Sequence, residues 1–273
     1  MSARDPHRFS HELDEKVTRR IINRLESRAR DDVFTRLFHQ YAEKLDFPES
    51  ALALEIGCGT GAVARALAKK ANFAGNLVGV DQSEPFIEAA KGFAADEGVA
   101  DSISFSVCDG HALDFDDASF DVAIAHTLIS HVTDPVAIVR ELARVVKPDG
   151  RLIIFDGDYA SLTYAVPEHE FGRRMDHALA TASFNNPMVM RDLISILPTE
   201  GFEVIETMAD IVSEIGQASY FKSFAETYAP LVVSAGFMTQ DELDNWLSMT
   251  AKAMDDGTFF ASCNYYTYIA RRI

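Results

Sequence analysis

The chain has 273 residues, 48% of them hydrophobic, with a formal net charge of −17 and a mean hydropathy of −0.02. That length holds one large α/β domain with insertions, or two small domains. The acidic balance excludes nucleic-acid phosphates and anionic membrane as favoured partners, because both would be repelled.

Residues 10–45 carry apolar positions at helical spacing (Val17, Ile21, Leu25; then Val33, Phe34, Leu37, Phe38, Tyr41) and predict two helices, ending at Pro48. Strands and helices then alternate. LALEI (52–56) reads as a strand, 60–71 as a helix, LVGVD (77–81) as a strand, and 84–95 as a helix with Pro85 in its first turn. ISFSVCD (103–109) and FDVAIAH (120–126) are strands, Pro135 to Val146 a helix, and RLIIFDGD (151–158) a fifth strand after a turn at Pro148 and Gly150. This rhythm predicts an α/β fold with a doubly wound, mostly parallel sheet. Beyond Asp158 it breaks: 168–184 and 187–197 look helical, 202–212 is a strand, 217–256 is helical and rich in aromatics, and 259–272 alternates as a last, seventh strand. A helical stretch that long between two strands predicts a cap over the sheet edge.

Chemistry concentrates in LALEIGCGTGAVARALA (52–68). An apolar run fit for a strand buried on both faces leads into Gly57, Gly59 and Gly61, which permit positive φ and close approach of a ligand to bare backbone. Thr60 is placed to cap the helix that follows, and Cys58 is expected to be a small buried filler. Such a strand, turn and free helix N-terminus form a ligand mouth at the carboxyl edge of a parallel sheet. Gly57, Gly59 and Ala62, with Asp81 further on, also satisfy the nicotinamide-dinucleotide pattern G-x-G-x-x-G/A, so the loop alone leaves two cofactors open.

LEIGCGTG, VGVDQS, CDGHAL, FDVAIAHTLISHVTDP and RVVKPDGRLIIFD, in that order, resemble the motif set of class I S-adenosylmethionine-dependent methyltransferases. The chain is similar in particular to the small-molecule branch: the type 11/25 and ubiquinone/menaquinone-biosynthesis-like group. The resemblance covers about residues 50–158. It implies a seven-stranded Rossmann-like fold, with a helical lid at 1–48, a cofactor-binding core at 49–158, and at 159–273 the remainder of the sheet with a substrate cap at about 217–256. It further implies that Glu55 helps hold the amino end of the cofactor, while Gly57, Gly59 and Gly61 seat its methionyl part and ribose. Asp81 would accept the ribose hydroxyls, with Gln82 and Phe86 toward the adenine; Asp109, Gly110 and His111 would meet the adenine edge; His126 would lie under the sulfonium. His131 is expected to be structural.

The activity implied is methyl transfer from S-adenosyl-L-methionine, leaving S-adenosyl-L-homocysteine, to a small molecule, of secondary-metabolite or quinone-like kind. In-line displacement from a sulfonium needs alignment in a dry pocket more than it needs a covalent intermediate. A base is required only for an acceptor that must lose a proton, and His126, Asp158 and Tyr159 stand near enough to the mouth to be candidates. Phe221, Tyr228, Tyr265 and Tyr266 either line an apolar acceptor pocket or belong to the core. The alternatives are a non-catalytic adenosylmethionine-binding protein and a nicotinamide-dependent oxidoreductase. Cys58, Cys108 and Cys263 show neither metal-ligand nor CxxC spacing, so no metal is expected and the thiols point to a cytoplasmic protein. The start, MSARDPHRFSHELDEK, is too polar for a secretory leader, and no apolar run has bilayer-spanning length, so no membrane insertion is expected. A homodimer is left open.

Overall fold

LALEI becomes the centre of the sheet because its apolar residues face both layers: Ala53, Leu54 and Ile56 are buried between helices on both faces. The computed structural model describes residues 15–45, 47–48, 50–70 and 73–273. The opening residues MSARDPHRFSHELD and Ala71, the expected end of the first core helix, lie outside the described residues. Helices α1 (Glu15–Ala29) and α2 (Asp32–Ala42) come first, followed by β1 (Leu52–Ile56), α3 (Ala62–Ala68), β2 (Asn76–Asp81), α4 (Glu84–Asp96), β3 (Ile103–Val107) and β4 (Phe120–His126). Then come α5 (Pro135–Val145), β5 (Val146–Tyr164), α6 (His169–Ser183), α7 (Val189–Thr199), β6 (Phe202–Gly216), α8 (Tyr220–Ser234), α9 (Gln240–Asp255) and β7 (Phe259–Arg272).

The seven strands lie in the order β3-β2-β1-β4-β5-β7-β6. The first five strands pair in parallel, and β7 runs antiparallel between β5 and β6. Chain order reverses between β1 and β4, which opens a crevice at their carboxyl ends. Buried residues of α2, α3, α4, α6, α8 and α9 pack one face of the sheet, and those of α5 and α7 pack the other.

Strand β3 ends at Val107, short of the expected 109, and the helical stretch expected over 217–256 divides into α8 and α9; three further elements differ for reasons the contacts show. Helix α3 starts at Ala62, not at residue 60, because Gly61 sits at φ +71° as its N-cap and makes no side-chain capping bond. The cap comes from the strand: Glu55 Oε2 accepts the Ala64 N–H at 2.8 Å, so the carboxylate takes the capping role expected of Thr60. Strand β5 extends past both of its expected ends. Val146 already pairs with Phe120, and the expected turn at Pro148 and Gly150 is a bulge within the strand, with Asp149 at φ +63°. Its far end, like the extension of β6 to Gly216, follows β7 in a long antiparallel pairing.

Candidate functional site

At the crevice between β1 and β4 lies a cavity of about 400 Å³, walled by the tips of β1, β2 and β4, the segment after β3, and helices α1 and α2. That size suits a small organic ligand. Its floor is the glycine turn. Gly57 and Gly59 stand at φ +64° and +52°, where an L side chain is strained, and a Cβ on Gly57 would lie 2.4 Å from the Leu128 Cδ1. Gly61 does not line the cavity: its missing Cβ makes room for Phe105 of β3, whose ring would lie 2.5 Å away. Its glycine is needed for packing and for the helix start.

Asp81 ends β2 with its carboxylate turned back onto the turn. Oδ2 accepts the Gly59 N–H and Oδ1 the Ser83 N–H, both at 2.9 Å. Burial pushes its pKa up, and those amide bonds pull against the rise. Glu55, 3% exposed, is pushed up to about 8 by burial, so it is largely protonated at neutral pH. Asp109 is held below the usual carboxylate range by the His111 amide, and the His111 ring also binds it, Nδ1 to Oδ1 at 2.8 Å. The other ring nitrogen of His111 meets Thr133 Oγ1 at 3.1 Å, which fixes the segment across the opening. Gln82, Phe86 and Gly110 complete this side.

His126, at the tip of β4, is half-buried, with Nδ1 2.8 Å from the Tyr41 hydroxyl and its ring tilted against Phe155 at a centroid distance of 4.6 Å. Burial, and then the nearby Arg28 charge, push its pKa well below the ordinary value, so the imidazole is neutral. Thr127 follows at φ +53°, an uncommon conformation for a β-branched residue and one that concentrates at functional sites. Its hydroxyl accepts from Arg28 Nη2 at 2.8 Å.

The expected residues thus divide. Glu55, Gly57, Gly59, Asp81, Gln82, Phe86, Asp109, Gly110, His111 and His126 all line one cavity, and Gly61 stands behind it. His131, expected to be structural, lines it too. Asp158 and Tyr159 do not. Asp158 is buried in an ion pair with Arg191, 2.8 Å from Nη2, and the Tyr159 ring lies parallel to Phe184 with centroids 3.5 Å apart. Neither carries a free group to this opening. Phe221, Tyr228 and Tyr265 belong to the buried aromatic core, and half-buried Tyr266 packs against the other face of the sheet. A lid was expected at 1–48, but the sequence named none of the residues that form the roof: Leu25, Arg28, Phe34 and Phe38 of α1 and α2. The helical period marks Leu25, Phe34 and Phe38 as apolar-face residues and gives no sign of what they cover. Among the described residues no three His, Cys, Asp or Glu groups are placed to hold a metal ion.

The methyltransferase-domain family model matches residues 54–154, which include most of the cavity floor. An uncharacterized 37.1 kDa protein in transposon TN4556 of Streptomyces fradiae is 29% identical over 84% of this chain and 65% of its own length. Methyltransferase GfsG of Streptomyces halstedii is 36% identical over 44% of this chain and 43% of its own. The chain therefore spans less than two thirds of either relative. The crystal structure of YcgJ protein from Bacillus subtilis superposes with a TM-score of 0.58 at 19% identity, covering 86% of this chain and 97% of that one, and shares its fold.

Proposed function

We propose that this chain, whose residues 54–154 match the methyltransferase-domain family model, is a class I S-adenosylmethionine-dependent methyltransferase whose cavity binds S-adenosylmethionine and presents the methyl group to a small-molecule acceptor. The observation that carries this reading is the meeting of bare turn backbone at Gly57 and Gly59 with Asp81 on one cavity wall. A carboxylate at the tip of β2 suits a ribose diol, because its oxygens keep acceptor capacity beyond the backbone amides they hold. Glycine backbone lets the ligand lie against the turn without a Cβ in the way.

When bound, the cofactor supplies an electrophilic methyl on a good leaving group. This chain's own residues then have three tasks. The β1, β2 and β3 tips hold the adenosine half through Asp81, Asp109 and the apolar Phe86. Glu55 lies beside the turn for the amino end, and losing its proton would place a negative charge there. Leu25, Phe34 and Phe38 keep water out of the transfer region. His126 is neutral and bonded to Tyr41, which suits a hydrogen-bonding wall group better than a strong base. In this reading α1 and α2 act as the lid, 49–158 as the cofactor core, and an acceptor reaches the methyl when the lid shifts. The acceptor class is a secondary metabolite or quinone-like compound. The free thiols Cys58, Cys108 and Cys263 fit a reducing cytoplasm.

Calorimetry decides between the cofactors. Adenosylhomocysteine is expected to bind at micromolar concentration and NADH not at all; binding of NADH alone would overturn the assignment. Methyl-transfer assays with labelled adenosylmethionine on host extract separate an enzyme from a binding protein, because the latter transfers label to nothing.

A further inference from the structure

Two arginines are buried among the described residues, and they are partnered in opposite ways. Arg65 of α3 pairs with Glu26 at 2.5 Å and also with Glu97, so carboxylates answer its charge. Arg24 of α1 is 8% exposed, and no carboxylate among the described residues pairs with it. Its guanidinium donates to the Ser223 Oγ at 3.3 Å, and the Tyr228 hydroxyl lies beside it. The rings of Tyr220, Phe224 and Tyr228 stand 5.4, 5.3 and 5.0 Å from it. A desolvated cation held by neutral groups alone is costly, and hydroxyls do not use up the donors of a guanidinium.

The position of Arg24 ties this cation to the cavity. It stands one helical turn before Arg28 on the same stripe of α1, and Arg28 and Leu25 both line the cavity. Phe34 is the wall between the two places: it lines the cavity, and its ring stands 4.7 Å from Tyr220 and 5.4 Å from Tyr265. The hydroxyls of those two tyrosines meet at 2.7 Å. A path from the cavity under α1 toward α8 therefore runs along aromatic faces and ends on a positive charge.

We propose that Arg24 and the rings of α8 form the acceptor subsite, and that the acceptor is an aromatic carboxylic acid: its ring lies against Phe34 and Tyr220, and its carboxylate takes the guanidinium. The inference rests on the adenosylmethionine reading above and names the acceptor class that reading leaves broad. A single guanidinium answers one negative charge, its planar fork matches a carboxylate, and the ring faces around it suit an aromatic body. The acid enters as α1 lifts from α8, exchanging weak neutral partners for a charge-assisted pair. The carboxylate is the anchor; a second group, at the far end of the acceptor, faces the cavity.

The test is calorimetry on the full chain saturated with adenosylhomocysteine, using benzoate, 4-hydroxycinnamate and 2-naphthoate, each against its own uncharged amide. At least one acid is expected to bind about 10- to 100-fold more tightly than its amide. In Arg24→Gln that preference falls below about threefold with affinity for the amide held, and Arg24→Lys recovers part of it. A purely structural clasp predicts an equal loss for acid and amide instead, since loosening α1 is blind to ligand charge. The comparison on the unaltered chain stands even if a variant folds poorly. No acid preferred over its amide, an equal loss for both in Arg24→Gln, or a preference that survives that substitution would overturn the proposal while the cofactor reading stood. If adenosylhomocysteine itself did not bind the full chain, that reading would fall and take this proposal with it.

Discussion

Asp81 does two jobs with one carboxylate. It ties the turn to β2 through the Gly59 and Ser83 amides, and it faces the cavity where a diol would sit. Asp81→Asn keeps the size and removes the charge, so adenosylhomocysteine affinity should fall by roughly 10- to 100-fold, the range for losing charge-assisted bonds. Calorimetry with unchanged affinity would place the ribose elsewhere. Glu55 gives a prediction in pH. Its carboxyl titrates at about 8 in the native chain against an ordinary value of 4.5. Between those values the native state holds a proton that the unfolded state has lost. Stability therefore drops as pH rises through that window and levels off above it. Glu55→Gln can still accept from Ala64 and carries no such proton. Its stability relative to the parent should grow from pH 5 to pH 8.5, by an amount on the order of a few kcal/mol. Denaturation curves that keep a constant offset across that range would contradict the protonated state. Asp81 and Glu55 were both legible in the sequence because they stand at strand ends beside a recognisable turn. Arg28, Tyr41 and Thr127 were not: Tyr41 meets His126 and Arg28 meets Thr127 across long stretches of chain, and no local pattern encodes such a pairing.

At the scale of elements, α1 is the unusual piece, because polar contacts pin it on several sides. Glu26 and Arg65, both buried, pair at 2.5 Å and join it to α3. Buried Arg24 points the other way, into the cap, with its guanidinium 5.4, 5.3 and 5.0 Å from the ring centroids of Tyr220, Phe224 and Tyr228 and a bond to Ser223. Cations over desolvated rings are worth about 1–2 kcal/mol each at most, so the clasp is firm and still reversible. Arg24→Leu retains the apolar stem and loses the clasp. Amide exchange across residues 15–29 should then speed by about tenfold, with β1 and β4 unaffected. Unchanged exchange in α1 would show that the helix is held by its apolar face alone. Element boundaries were legible where burial sets them: β1, β4 and β7 fall at the expected residues. They were not where pairing sets them. Strands β5 and β6 outrun their apolar cores because β7 supplies a partner along their length. Likewise, α3 shortens because Gly61 takes a left-handed conformation that only the folded turn imposes.

For the molecule as a whole, alternation of strands and helices was enough to infer a doubly wound sheet, and the reversal between β1 and β4 puts the glycine turn at the crevice. The same alternation could not reveal that α1 and α2 roof that crevice, since packing of an N-terminal helix pair is decided by contacts with the cap far along the chain. The proposed function rests on this arrangement, because a parallel-sheet crevice with a bare turn and acidic strand tips suits a nucleoside. The most direct test is a crystal structure of the full chain grown with adenosylhomocysteine. The account predicts the nucleoside at the tips of β2 and β3, its ribose hydroxyls within hydrogen-bonding distance of Asp81 and its sulfur beside the Gly57 turn. Density for the ligand at any other place, or none at saturating concentration, would contradict it.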